Sequence, residues 1–103
     1  MRKIYFVYII KCSDKSYYVG ITNNLERRLY EHNEGFDPYS YTYSRRPVNL
    51  VFEQSFHDVD NAILYEKKIK GWSRAKKEAL IEGRINDLPK LSKNKKESSK
   101  DLE

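Results

Sequence analysis

From Ile4 to Ile10 every position is apolar or aromatic, with Ile4, Phe6, Tyr8 and Ile10 on one pleat face and Tyr5, Val7 and Ile9 on the other. A strand covered on both faces belongs in the middle of its sheet. Ser13-Asp14-Lys15-Ser16 supplies turn chemistry and Tyr17 to Ile21 is a second β-rich run, so the two form an antiparallel hairpin. An even loop would put Tyr8 and Tyr18 on opposite faces, whereas an odd loop or a bulge would bring them together; the pattern leaves both open. Gly20, near the end of the second strand, marks a bulge or a place where another backbone or a ligand comes close.

Thr22-Asn23-Asn24 leads into a helix, with Asn23 and Glu26 in a relaxed capping box. Leu25 and Leu29 face the core at i, i+4, and Arg28 and His32 form a second i, i+4 pair rotated off that line. Asn33 to Gly35 ends the helix. Phe36 to Arg46 is an irregular loop with Pro38 and tyrosines at alternate positions, Tyr39, Tyr41 and Tyr43. Pro47 precedes a third strand, Val48 to Phe56. Asp58 or Asp60 caps a second helix that runs to about Lys70 and stops at Gly71, with an inward stripe of Val59, Ala62, Ile63, Glu66 and Ile69. Ser73 caps a last helix through Ala75, Ala79, Leu80 and Ile81, ended by Gly83. The order is β-β-α-β-α-α, a small antiparallel sheet with helices against it, hence α+β.

Composition adds where this body ends. Residues 87–103 are rich in Lys, Ser, Asn and Glu with few apolar positions and read as a disordered tail, leaving 1–86 as one domain. The tail holds five Lys and four acids, so of the net charge of +5 the body keeps +4. Its densest block, Lys67 to Lys77, has six Lys or Arg and no acid. A basic surface favours a polyanionic partner, although a solvated face is the simpler reading of such a block. Cys12 is the only cysteine, which excludes an intramolecular disulfide and a multi-thiolate zinc site. No run approaches the ~20 apolar residues of a membrane span. The cytoplasm is the expected location.

The candidate chemistry is phosphodiester hydrolysis, which needs a proton acceptor for water, a cation on the phosphate oxygens and relief for the leaving oxygen. A divalent metal supplies the last two, held by as few as one carboxylate with waters completing its shell. Glu66, a carboxylate at helical spacing among core positions, is the acid whose place looks chosen, because buried acids are rare unless paired. Arg28 would grip a phosphate through charge-assisted bonds. Tyr8, Tyr18 or His32 would handle the proton; His32 starts near ~6.5 and is the less demanding base, while a Tyr at ~10 needs nearby positive charge. Against each stands a bland alternative: half-buried strand tyrosines, a solvated helix arginine, an idle histidine. The alternating loop tyrosines would stack on bases or pack on their own domain.

Taken together and in this order, these residues resemble the GIY-YIG endonuclease family, and more closely its small stand-alone bacterial subfamily. The first triplet matches Phe6-Val7-Tyr8 and the second Tyr18-Val19-Gly20, with Arg28, His32 and Glu66 falling on the family's downstream positions. Stretches similar to Arg45-Arg46-Pro47-Val48 and to Glu66 through Trp72 and Ser73 to Ile81 extend the match from about Lys3 to Ile81. The resemblance implies a three-stranded antiparallel sheet with the first strand central. It also implies cleavage of DNA with Mg or Mn, structure-selective rather than sequence-selective, in repair or recombination. Tyr8 would activate or orient water with Tyr18 beside it, Arg28 would hold the phosphate, His32 would assist, and Glu66 would bind the metal. Arg45, Arg46, Lys67, Lys70, Arg74 and Lys77 are the expected nucleic-acid contacts. Phe6 stands where the family's first Gly is expected, and the last helix offers Lys76-Lys77-Glu78-Ala79 where many catalytic members carry an Asn. A non-catalytic DNA-binding module on the same fold is the alternative. A protein partner or a second copy of the chain is the expected source of specificity.

Overall fold

The computed structural model describes residues 3–84, so the polar stretch 87–103 lies outside the described residues. Strands β1 (Tyr5–Lys11), β2 (Tyr17–Thr22) and β3 (Asn49–Phe56) form one antiparallel sheet in the order β2-β1-β3. Central β1 is the strand with the two-sided apolar pattern, and Val7, Tyr8, Ile9 and Ile10 are completely buried. Helices α1 (Leu25–Glu34), α2 (Val59–Lys70) and α3 (Arg74–Ile81) complete the α+β order β-β-α-β-α-α, and a 3-10 turn at Tyr43–Arg45 interrupts the loop before β3. The described residues divide into two compact units, one up to Gly71 with the sheet, α1 and α2, and one from Trp72 with α3.

The hairpin loop settles the register. Lys11 pairs with Tyr17, leaving the odd loop 12–16. Its turn is held by the Asp14 carboxylate, which accepts from the Ser16 N–H at 3.0 Å and the Ser16 hydroxyl at 2.6 Å. Lys15 takes the left-handed φ of 74° that the tight reversal requires. Tyr8 therefore pairs with Gly20 and Ile10 with Tyr18, and the two tyrosines share a face. The irregularity in β1 falls on the other ladder, between Ile9 and Ile10 against β3.

The two faces of the sheet carry different helices. On one, Tyr8, Ile10, Cys12 and Val48 form a buried cluster against which Tyr18, Leu50 and the α1 residues Leu25 and Leu29 pack. On the other, Phe56, which pairs with Tyr5, meets Tyr65 of α2 at a ring separation of 5.2 Å, and α2 contacts all three strands.

Two local expectations are corrected. Helix α1 starts at Asn24, whose side chain accepts from the Arg27 N–H, because the Thr22 hydroxyl accepts the Asn24 N–H and holds the chain extended for one residue longer. In α2 the buried stripe is Ala62, Glu66 and Ile69, while Val59 and Ile63 are each 37% exposed. Ile63 lies about 100° around the helix from Ala62, so a stripe centred on Ala62 and Glu66 turns it outward. Asp58 and Ser73 cap α2 and α3 by accepting the Asn61 and Lys76 N–H groups.

The long loop is tied at both ends. The Asn33 amide accepts the Val48 N–H at 2.8 Å and donates to the Val48 carbonyl at 3.2 Å, imitating a strand partner for a buried residue. Ser13 N–H donates to the Arg45 carbonyl, and Arg45 Nε donates to Asp14 at 3.0 Å, so the hairpin turn grips the loop's far end.

Candidate active site

The site grows from the cross-strand pairing of Tyr8 with Gly20. With no side chain at Gly20, the phenol of Tyr8 lies across β2, where a Cβ would collide with its hydroxyl. The glycine thus marks a close approach, by a side chain of the same sheet. Tyr18 stands next to this phenol on the same face, with ring centroids 6.5 Å apart, and His32 meets both rings edge-on at 6.0 Å and 5.4 Å.

His32 is delivered by the last turn of α1, one turn after Arg28. Its Nε2 is 3.0 Å from the Tyr8 hydroxyl and its Nδ1 is 2.9 Å from Oγ1 of Thr42. Thr42 is completely buried, and Ser40 Oγ lies 3.3 Å beyond it. Arg28 is 42% exposed in its side chain and pairs with Glu31 at 3.4 Å. Its positive charge reaches the Tyr8 phenol. Glu66 is buried on α2, within electrostatic reach of the Tyr8 hydroxyl, and its Oε2 is 2.9 Å from Lys70 Nζ.

Burial governs the protonation states. Loss of solvent, then the neighbouring Tyr18, push the Tyr8 phenol up to about 12, and the Arg28 guanidinium only partly offsets this. At neutral pH its phenolate fraction is therefore only ~10⁻⁵. Burial, and next the positive charge of Arg28, hold the His32 imidazole below its ordinary value, so it is neutral. Lys70 moves up, held protonated by its hydrogen bond to Glu66. The positive charge a tyrosine base would need is supplied by Arg28, but desolvation of a buried phenol outweighs one half-exposed guanidinium.

The Tyr8 hydroxyl is therefore hydrogen-bonded to His32, with Tyr18 beside its ring and the charges of Arg28 and Glu66 acting on it. The basic residues expected at a nucleic-acid surface have other neighbours. Arg45 stacks on the Tyr41 ring at 3.9 Å, and Tyr41 in turn stacks on Tyr18 at 6.1 Å. Arg46 covers Tyr43 at 4.4 Å and donates to the Tyr43 carbonyl. Two of the three loop tyrosines thus pack on their own domain, whereas Tyr39 is 96% exposed. Lys67 is exposed on α2 and Lys70 reaches Glu66. In the second unit Arg74 pairs with Glu78, and burial lowers the Lys77 ammonium.

Among the described residues no group of three or more His, Cys, Asp or Glu could hold a metal by itself. The donor set suits a hard cation bound by one carboxylate, with phosphate and water oxygens completing the shell, and such a cation would share Glu66 with the Lys70 ammonium on Oε2 or displace it. Reasoning from sequence missed Thr42 and the pairing of Asn33 with Val48. The Tyr-Thr-Tyr alternation hinted that Thr42 and its neighbours point opposite ways, but outside a strand it did not say which way is in.

The profile of the GIY-YIG catalytic domain matches residues 4–79. Small proteins from bacteria and archaea match over most of both chains. The chain is 47% identical over 76 residues to a UPF0213 protein of Syntrophus aciditrophicus, covering 74% of this chain and 87% of that one. It is 43% identical over 82 residues to the UPF0213 protein YazA of Bacillus subtilis, covering 80% and 82%. The solution NMR structure of the protein EF2693 from E. faecalis superposes with a TM-score of 0.57 at 33% identity, covering 82% of this chain and 92% of that one. That of the UPF0213 protein BH0048 from Bacillus halodurans gives 0.51 at 37%, covering 77% and 83%. Fold and sequence together define a catalytic domain of nuclease type. The chain belongs to the GIY-YIG family. Among the described residues no helix is long and apolar enough to cross a membrane.

Proposed function

We propose that this protein is a metal-dependent DNA endonuclease that hydrolyses phosphodiester bonds in structured DNA, with little reading of base sequence. The observation that carries the reading is the Tyr8 hydroxyl, hydrogen-bonded to His32 and acted on by the charges of Arg28 and Glu66. A core has no need of that combination, and in-line attack on a phosphodiester does.

Arg28, partly exposed, binds the phosphate oxygens and orients phosphorus. Water attacks phosphorus as its proton passes to the Tyr8 oxygen and the proton of Tyr8 passes to His32 Nε2. The P–O bond opposite breaks, its electron pair stays with the departing oxygen, and that oxygen takes a proton from solvent. Neutral His32 is the net base, which fits a phenol too weakly acidic to serve as phenolate. Glu66 would hold Mg or Mn, which supplies charge neutralisation at the phosphate and the leaving oxygen. Tyr8 is fully buried, so substrate or water reaches its hydroxyl only when a neighbouring side chain moves aside.

Recognition of DNA shape suits a single small domain, because phosphate contacts position without specifying sequence. A partner protein or a second copy would supply further selectivity. A second reading, a DNA-binding module without efficient cleavage, is favoured by one observation, the Lys70 ammonium seated on Glu66. Nicking of plasmid and branched DNA with Mg or Mn, compared between wild type and Glu66→Ala, separates the two. Metal-dependent nicking lost in the variant supports the nuclease, and nicking unchanged in the variant contradicts the role of Glu66. No cleavage by wild type, with salt-sensitive DNA binding intact, favours the second reading.

A further inference from the structure

The loop between α1 and β3 is largely exposed, yet Thr42 within it has no exposed surface. Its hydroxyl is 2.9 Å from His32 Nδ1 and 3.3 Å from Ser40 Oγ, which places it at the end of a chain running Tyr8, His32, Thr42, Ser40. Counting donors along this chain gives it a direction. Arg28 and Glu66 act on the Tyr8 hydroxyl through charge, and a guanidinium has no acceptor to offer it. The single hydrogen of a buried phenol needs an acceptor, and His32 Nε2 stands 3.0 Å away. Nε2 of the neutral ring is then bare, and the ring hydrogen is on Nδ1, where Thr42 Oγ1 accepts it. The Thr42 hydroxyl keeps its own hydrogen for Ser40. The opposite tautomer would turn Nε2–H on the phenol oxygen and remove the acceptor of its hydrogen.

We propose that Thr42 is a positioning residue: by accepting from His32 Nδ1–H it fixes the ring and the tautomer whose bare Nε2 receives the Tyr8 proton. The loop thereby becomes part of the catalytic apparatus, and the Arg45–Asp14 pair and the Tyr18–Tyr41–Arg45 stack gain a purpose, since they hold the segment that carries Thr42. This assignment deepens the nuclease reading and rests on it for the use of the tautomer, but the tautomer itself is measurable without DNA. The hydrogen bond at one imidazole nitrogen decides which nitrogen is protonated.

Long-range ¹H–¹⁵N NMR of the histidine ring in the intact protein near neutral pH tests the proposal. Wild type and Thr42→Ser are expected to show His32 protonated at Nδ1 with Nε2 bare, and Thr42→Val to shift it towards the Nε2–H form. Single-turnover cleavage should fall about tenfold or more in Thr42→Val and be rescued in Thr42→Ser. An Nε2–H ring in wild type overturns the proposal with no variant needed, so a failure of Thr42→Val to fold leaves the test intact. An unchanged tautomer in folded Thr42→Val overturns it as well. The Nδ1–H tautomer in a protein that cleaves no DNA supports the Thr42 assignment and contradicts the nuclease reading alone.

Discussion

Gly20 lies opposite Tyr8 in the β1–β2 ladder, and its missing side chain is the space the phenol ring occupies. The second triplet's glycine and the first triplet's tyrosine are thus two halves of one contact. Gly20→Ala would drive a methyl group into the ring of a fully buried residue. The expected cost is about 1–3 kcal/mol of stability, with the Tyr8 hydroxyl displaced from His32. Denaturant unfolding should show this loss, and a Tyr8→Ala background should make it smaller, because the two changes share one contact.

The pH dependence of cleavage distinguishes the two possible bases. If neutral His32 is the net base, the rate climbs with pH through its pKa, which lies below the ordinary 6.5, and then stays flat. A phenolate base with a pKa of about 12 would instead give a rate rising about tenfold per pH unit from about pH 7 to about pH 9. The same shift makes the fold weaken in acid. The unfolded chain binds this proton near ~6.5 and the folded chain only lower, so stability is full above that value and falls as pH drops towards the folded pKa. Thermal unfolding of His32→Gln should lack this part of the acid sensitivity.

If Glu66 holds the proposed divalent cation, the Lys70 ammonium 2.9 Å from its Oε2 would compete with it. Replacing Lys70 with Met should strengthen Mn binding at Glu66 in the absence of DNA, read from paramagnetic broadening of neighbouring amide signals. Broadening unchanged between wild type and Lys70→Met would remove Lys70 as a competitor.

Asn33 pairs both backbone groups of buried Val48, so Asn33→Ala leaves an N–H and a carbonyl without their partners. Equilibrium unfolding is expected to show a loss of about 1–3 kcal/mol. Asn33→Asp should be no better, since a carboxylate keeps the acceptor and faces the Val48 carbonyl with charge.

Much of this arrangement is legible in the chain because it is local. The two-sided apolar run at Val7 to Ile10 places β1 in the centre, and Glu66 declares itself by interrupting an apolar stripe. What escaped depends on long-range closure. Whether Tyr8 and Tyr18 share a face turned on a single residue of loop length, settled by the Asp14–Ser16 turn. Thr42 and Asn33 work through contacts with residues 10 and 15 positions away, which no periodicity encodes. The upward shift of Tyr8 is not legible because sequence displays the nearby arginine but not the depth of burial.

In the proposed mechanism the Tyr8 hydroxyl passes the proton of the attacking water to His32. Tyr8→Phe keeps the ring over Gly20 and removes only that oxygen. Single-turnover cleavage of branched DNA with Mg or Mn should fall about 10²–10⁴-fold in this variant while DNA affinity stays unchanged. Cleavage by Tyr8→Phe within about threefold of wild type would contradict the account.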